Sequence, residues 1–191
     1  MSVVAPFLTR LRRAPERLLH PFWRRQVLRA VARRPSPGRV LMVCHGNICR
    51  SPFAAALLAR ELAEVGARVE SAGFVGAGRR PPPEAVAVAA RRGVDLSSHR
   101  SQVLTAAVVR SVDLIVVMEP AQGLEVCGRF GVPPRGVIVL GDVDPAPIET
   151  RAIRDPVAQG PEVFEESYAR IERCVAELAR ALVGHNHGWP A

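Results

Sequence analysis

Between residues 39 and 183 the apolar positions take two alternating forms: short unbroken runs, and longer stretches spaced by threes and fours. The runs RVLMVC (39–44), DLIVVM (113–118) and GVIVL (136–140) are short and continuous, as expected of strands buried on both faces. RVESAG (68–73) reads as one more strand. Alanine-rich stretches from Pro52 to Val65 and Pro83 to Arg92 predict helices, and a further helix is expected between the third and fourth strands. The last stretch sets Phe164, Tyr168, Ile171, Val175, Leu178 and Leu182 at steps of three and four, the stripe of an amphipathic helix. This alternation predicts an α/β fold: a four-stranded parallel sheet with helices on both faces. Ligands of such sheets bind at the carboxyl ends of the strands.

Before residue 39 the pattern differs. Leu18, Leu19, Phe22, Trp23, Val27, Leu28 and Val31 recur near helical spacing with arginines between them, punctuated by Pro15 and Pro21. Pro35-Ser36-Pro37-Gly38 reads as a linker. The expected organisation is a basic amphipathic arm with its linker (1–38), a domain (39–185) and a tail (186–191). Charge sharpens the division. Residues 1–38 hold nine arginines and one acid, Glu16, whereas the remainder holds seventeen of each, so the net +8 belongs to the arm. Two readings follow: the arm packs its apolar face on the domain with its arginines in water, or residues 1–34 contact an anionic membrane or an acidic partner. No nucleic-acid motif accompanies the basic stripe, so nucleic acid is not an expected partner.

No apolar stretch approaches the roughly 18–20 residues of a membrane span. Arg10, Arg12, Arg13 and Arg17 interrupt any signal-peptide core. The four cysteines have neither zinc-ligand spacing nor the density of a disulfide framework. A cytoplasmic protein without metal or cofactor is expected, with a peripheral membrane position open to the arm.

The chemistry concentrates in VCHGNICRSP (43–52). A strand ends at Cys44 and a helix can start at Ser51, with Pro52 in its first turn. Between them Gly46 takes positive φ freely and Asn47 tolerates the left-handed region. Successive amides from His45 through Ile48 and Cys49 to Arg50 can converge on one oxyanion at the helix N-terminus. The same field favours a thiolate at Cys44, to which Ser51 can donate, and Arg50 supplies a planar fork for two phosphoryl oxygens. Nucleophile, amide cradle and guanidinium together describe phosphoryl transfer through a cysteinyl-phosphate. The spacing alone is weak: Cys174 to Arg180 repeats it inside the last helix, where no cradle can form.

The motif resembles the signature of the low-molecular-weight protein tyrosine phosphatases. The similarity extends to SAG (71–73), GVDLSSHRS (93–101), DLIVVME (113–119) and a later Asp-Pro followed by FEESYARIERC, over roughly residues 39–183. The resemblance implies a flavodoxin-like four-stranded parallel sheet and hydrolysis of phosphomonoesters, chiefly phosphotyrosine on proteins, without metal. It further implies Cys44 as nucleophile, Arg50 and the amides of residues 45–50 as phosphate ligands, Asn47 as holder of the turn and Ser51 as support for the thiolate. A reversible Cys44–Cys49 disulfide is also implied; a small packing residue is the plainer reading of Cys49.

The leaving group needs a proton and the second step a base, and one carboxyl can serve both. Two Asp-Pro pairs compete, Asp144-Pro145 and Asp155-Pro156. Placement just before the last helix favours Asp155, leaving Asp144 as a turn residue. His99 is expected to be a structural hydrogen-bonding residue, and Glu119 to help orient the site. Ala55 stands where the family commonly has an acidic residue, and Val157 with Ala158 and the FVGAGRRPP loop (74–82) lack the family's aromatics, which weakens the walls around a substrate ring. Arg79 and Arg80 are either solvated or favour acidic substrates. Ile48 argues against a phosphoarginine substrate, and the absence of a closely spaced outer thiol pair argues against arsenate reduction. A phosphate-binding module of weak turnover, tethered by the arm, is the remaining alternative.

Overall fold

The computed structural model describes residues 4–34 and 38–184. Most of the linker expected at 35–38, and the tail at 186–191, lie outside the described residues. Four strands, β1 (Arg39–Cys44), β2 (Arg68–Gly73), β3 (Leu114–Val117) and β4 (Val137–Val139), form a parallel sheet in the order β2-β1-β3-β4. Helices α1 (Val4–Ala32), α2 (Arg50–Glu61), α3 (Pro83–Arg91), α4 (Ala106–Arg110), α5 (Pro120–Phe130) and α6 (Pro161–Val183) connect and cover it.

Strand alternation divides the core in two. Val40, Met42, Leu114 and Val116 face α2, α3 and α6, while Leu41, Val43, Ile115 and Val117 face α4 and α5. Both faces are therefore buried, which is why β1 and β3 read as unbroken apolar runs. The predicted stripe of α6 is buried along its whole length. Chain direction diverges at β1: β2 lies on one side of it and β3 on the other. The crevice at their carboxyl ends is the switch point at which such sheets bind ligands.

Several expectations shift. The helix expected to begin at Pro52 starts at Arg50 and stops at Glu61, before a 3-10 turn over Ala63–Val65. The short helix α4 was not anticipated; Thr105 caps it by accepting a hydrogen bond from the Val108 amide at 3.3 Å. Pro15 and Pro21 do not break α1, which runs continuously from Val4 to Ala32.

α1 lies against α6 and the turn over Leu140–Val143, with Val31 fully buried and Val27 and Leu28 packed beside it. Polar contacts fix it there. Glu16 accepts from the Arg151 amide at 2.9 Å, the Arg151 guanidinium lies 4.8 Å from the Trp23 ring centre, and Arg24 pairs with Glu177.

Asp144 is more than the turn residue expected. It is fully buried and accepts from Arg170 Nε at 2.8 Å and from Arg173 Nε and Nη2 at 2.7 and 3.1 Å. Its Oδ1 also accepts from the Ala146 amide at 3.1 Å. This ties the segment after β4 to α6.

Candidate active site

The loop 45–49 leaves the carboxyl end of β1 and enters α2 with no side-chain cap. Asn47 carries its sharp turn at φ 51°, in the left-handed region, whereas Gly46 has no positive φ. A Cβ at position 46 would sit 2.8 Å from Arg79 Nη2, the far end of a flexible side chain that can shift to admit it. Asn47 meets the cost of its conformation with side-chain bonds. Its Nδ2 donates to Ser51 Oγ and Ser71 Oγ, both at 2.9 Å, and its Oδ1 accepts from the Gln102 amide at 2.8 Å.

This network reaches Cys44. Ser51 Oγ accepts from Asn47, and its own hydrogen has two acceptors in reach, Cys44 Sγ at 3.1 Å and the Ala72 carbonyl at 3.5 Å, of which the sulfur is the nearer. The Asn47 amide also points at Cys44 Sγ, at 3.2 Å. Two donors thus converge on a buried sulfur. Among the described residues no acceptor pairs with the amides of Gly46, Ile48 or Cys49. His99 lies with Nε2 2.8 Å from the Asn47 carbonyl, and since a carbonyl only accepts, Nε2 carries the hydrogen. The expected structural role of His99 fits this contact.

Arg50 is fully buried. Its Nη1 donates to Glu119 Oε1 at 2.6 Å and to the Ile153 carbonyl at 2.9 Å, and its Nη2 donates to Asp155. Nε is buried with no partner. An orphaned guanidinium N–H is costly to bury and marks a position where an oxyanion would be gained. Gln122 Nε2 steadies Glu119 Oε1 at 3.1 Å.

Cys44, His45, Gly46, Ile48, Cys49, Arg50 and Asp155 line one small cavity of about 120 Å³, completed by Val75, Arg79 and Val157. Asn47 and Ser51 stand behind it. Phe74 is not a wall of the cavity; it is buried in the core beneath the sheet, and Val75 takes the rim. Arg79 is neither free nor distant: Nη2 donates to the Gly46 and Val75 carbonyls at 2.8 and 3.2 Å, strapping the loop from outside. Asp155 Oδ1 accepts from the Val157 amide at 3.2 Å, which fixes the carboxyl at the start of its turn.

Burial, and then the neighbouring Cys44, raise the Cys49 thiol well above the ordinary thiol range. Burial likewise raises the Cys174 thiol to about 12, as expected of a packing residue. Behind the loop, Tyr168 stacks on Phe53 with ring centres 4.0 Å apart and donates to the Cys49 carbonyl at 3.3 Å.

Residues outside the motif complete the loop, and sequence reasoning missed them. Gly73 at the end of β2 lies hard against the loop backbone: a Cβ there would lie 2.8 Å from both the Asn47 nitrogen and the His45 carbonyl oxygen. Gln102 and the Ile153 carbonyl act through backbone atoms, which have no residue-type signal. Ser71 and Gly73 did have one: they stand in the SAG stretch that carries the family resemblance.

A buried cysteine under a loop of unpaired amides, with a buried arginine and a carboxyl facing it across one small cavity, defines the cysteine-dependent phosphatases. The comparisons specify the family. The profile described as low molecular weight phosphotyrosine protein phosphatase matches residues 39–187. A probable low molecular weight protein-tyrosine-phosphatase, EpsP, of Ralstonia nicotianae is 43% identical over 138 residues, covering 71% of this chain and 90% of its own. The crystal structure of the Erwinia amylovora tyrosine phosphatase amsI is 32% identical with a TM-score of 0.68, over 75% of this chain and 92% of that one. The structure of Vibrio vulnificus Wzb in complex with benzylphosphonate is 29% identical with a TM-score of 0.67, over 75% and 97%. The chain belongs to the low molecular weight phosphotyrosine protein phosphatase family, and it is an enzyme of the cysteine-based phosphatase class.

Proposed function

We propose that the protein hydrolyses phosphotyrosine on proteins, with Cys44 as nucleophile, Arg50 and the loop amides as phosphate ligands, and Asp155 as acid and then base. The observation that carries this reading is the Nε of Arg50, buried without a partner among the described residues, on a side chain that lines the same cavity as Cys44 and Asp155.

A phosphoryl group entering the loop takes up the free amides and Arg50 Nε, and competes with Asp155 for Nη2. Displaced from the guanidinium, the Asp155 carboxyl turns to the leaving oxygen at the cavity mouth. Cys44 Sγ forms its bond to phosphorus as the ester oxygen leaves with the Asp155 proton. The Asp155 carboxylate then deprotonates a water that attacks phosphorus, the S–P bond breaks, and phosphate departs. Ser51 and the Asn47 amide stabilise the sulfur as it becomes a leaving thiolate. Ile48, Val75 and Val157 give the mouth apolar sides that suit an aromatic ring, which accords with the benzylphosphonate held by the Vibrio relative.

The test is hydrolysis of p-nitrophenyl phosphate and of phosphotyrosine and phosphoserine peptides at mildly acidic pH, with EDTA and reductant. Wild type should turn over the aryl substrates, and Cys44→Ser should abolish turnover while still binding phosphate or vanadate. Retained turnover in folded Cys44→Ser would move the nucleophile elsewhere.

A further inference from the structure

α1 is sided in an unusual way. Its inner face, with His20, Trp23, Val27 and Val31, rests on the domain, so its outer face should be polar. Instead Leu18 is 78% exposed, Phe22 57% and Leu19 46%, half of the large apolar side chains exposed among the described residues. Of the other three, Val75 and Val157 are accounted for at the cavity mouth. Leu18 and Phe22 continue at helical spacing into Arg25, Arg29 and Arg33, all exposed. Those three arginines have no acidic partner among the described residues, whereas Arg17 faces Glu149 at 3.5 Å and Arg24 holds Glu177. One helix face therefore presents an apolar patch followed by unpaired positive charge, on a protein whose net +8 resides in residues 1–38.

We propose that the outer face of α1 docks this enzyme on an anionic lipid surface. Leu18, Leu19 and Phe22 enter the boundary between headgroups and acyl chains, and Arg25, Arg29 and Arg33 lie along the anionic headgroups. The charge selects this occupant. A second copy would bring its own arginines against these, and a polyanion such as nucleic acid offers nothing to bury Leu18 and Phe22. The inner contacts of α1 do not compete with docking, because His20, Trp23 and Val31 point the other way.

The experiment is co-sedimentation of the full chain with vesicles of phosphatidylcholine alone or with a third phosphatidylglycerol, in 0.15 and 0.5 M salt. Binding is expected only to the anionic vesicles and should weaken at high salt as screening shortens. Each arginine near the surface is worth roughly fivefold in partitioning, so Arg25, Arg29 and Arg33→Gln together should weaken binding about a hundredfold. Leu18→Ser with Phe22→Ser should weaken it at least roughly tenfold, with p-nitrophenyl phosphate hydrolysis unchanged in solution. No binding to anionic vesicles would overturn the proposal, as would equal binding to neutral ones. Binding indifferent to Leu18 and Phe22 would also overturn it, leaving bulk electrostatics, as would a dimer in sedimentation velocity that Phe22→Ser dissolves.

Discussion

Asp144 and Asp155 are both followed by proline, yet the structure gives them separable roles, and substituting each by asparagine separates them. Asp144 is fully buried, and its two oxygens accept four hydrogen bonds from Arg170, Arg173 and the Ala146 amide. Asparagine keeps the volume but removes the charge and turns an amide N–H against a guanidinium. Breaking a buried pair costs about 3–5 kcal/mol. The lower end applies here, because the Arg173 side chain is partly exposed and Arg170 keeps the Ala152 and Thr150 carbonyls. About 3 kcal/mol corresponds to a melting temperature lower by roughly 6–12 °C for a chain of this size, with kcat close to wild type. Asp155→Asn should do the opposite. Hydrolysis of phenyl phosphate should slow by about 10²–10⁴-fold, with a smaller loss on p-nitrophenyl phosphate, whose leaving group needs less protonation, and stability should change little. Acid supplies a further check. Burial pushes the Asp144 carboxyl up, but hydrogen bonds from Arg173 and the Ala146 amide, with the charges of Arg173 and Arg170, outweigh it and hold the group below its ordinary value. Its stabilisation is therefore complete above about pH 4, the unfolded carboxyl's range, and is lost as pH falls through the lower folded value. Urea titrations of wild type and Asp144→Asn should differ fully at pH 7 and converge in strong acid. Loss of activity without loss of stability in Asp144→Asn would refute the assignment, as would an unstable Asp155→Asn of normal turnover.

Two substitutions test how the loop is held. Asn47→Ala loses three side-chain bonds, leaves the Gln102 amide without its acceptor and puts alanine in the left-handed region, at about 3–4 kcal/mol together. Asn47→Gly should recover only the roughly 1 kcal/mol of backbone strain in denaturant titrations, and full recovery would mean the side-chain bonds contribute little. Gly73→Ala drives a methyl against the Asn47 nitrogen and the His45 carbonyl, neither of which can yield without moving the loop. It should lower kcat on p-nitrophenyl phosphate by at least about tenfold, and normal kinetics would show the loop to be more compliant than its contacts imply.

The placing of Cys44, the loop and Arg50 at the end of β1 and the start of α2 was legible because strand end, loop and helix start fall within residues 39–52, where local rules govern. The four strands and the stripe of α6 were legible for the same reason, each being a pattern contained in one element. What escaped were contacts across the chain. Asp144-Pro145 has the local signature of a turn, and only the fold brings Arg170 and Arg173 to it; their spacing of three on the apolar side of α6, next to Ile171 and Cys174, was the available clue. Gly46 and Asn47 look interchangeable as left-handed residues, yet only Asn47 takes the left-handed conformation, and the Gly46 carbonyl instead receives Arg79 from 33 positions away. Pro21 promised a break in α1 that packing on the domain overrides.

These distant contacts share a purpose. Gly73, Gln102, His99 and Arg79 reach the loop through its carbonyls, its turn residue or its bare backbone. Each constrains the loop without taking up the amides of Gly46, Ile48 or Cys49, which have no acceptor among the described residues. The Asp155 carboxyl is held in the same indirect way. Arg151, clamped by Glu16, Trp23 and Asp142, anchors the segment whose Ile153 carbonyl holds Arg50 and whose Asp155 faces it. The inner face of α1 thus braces the segment that carries Asp155. A helix that lies outside the matched family region is consequently part of the support for the site, and its outer face is left free for another surface.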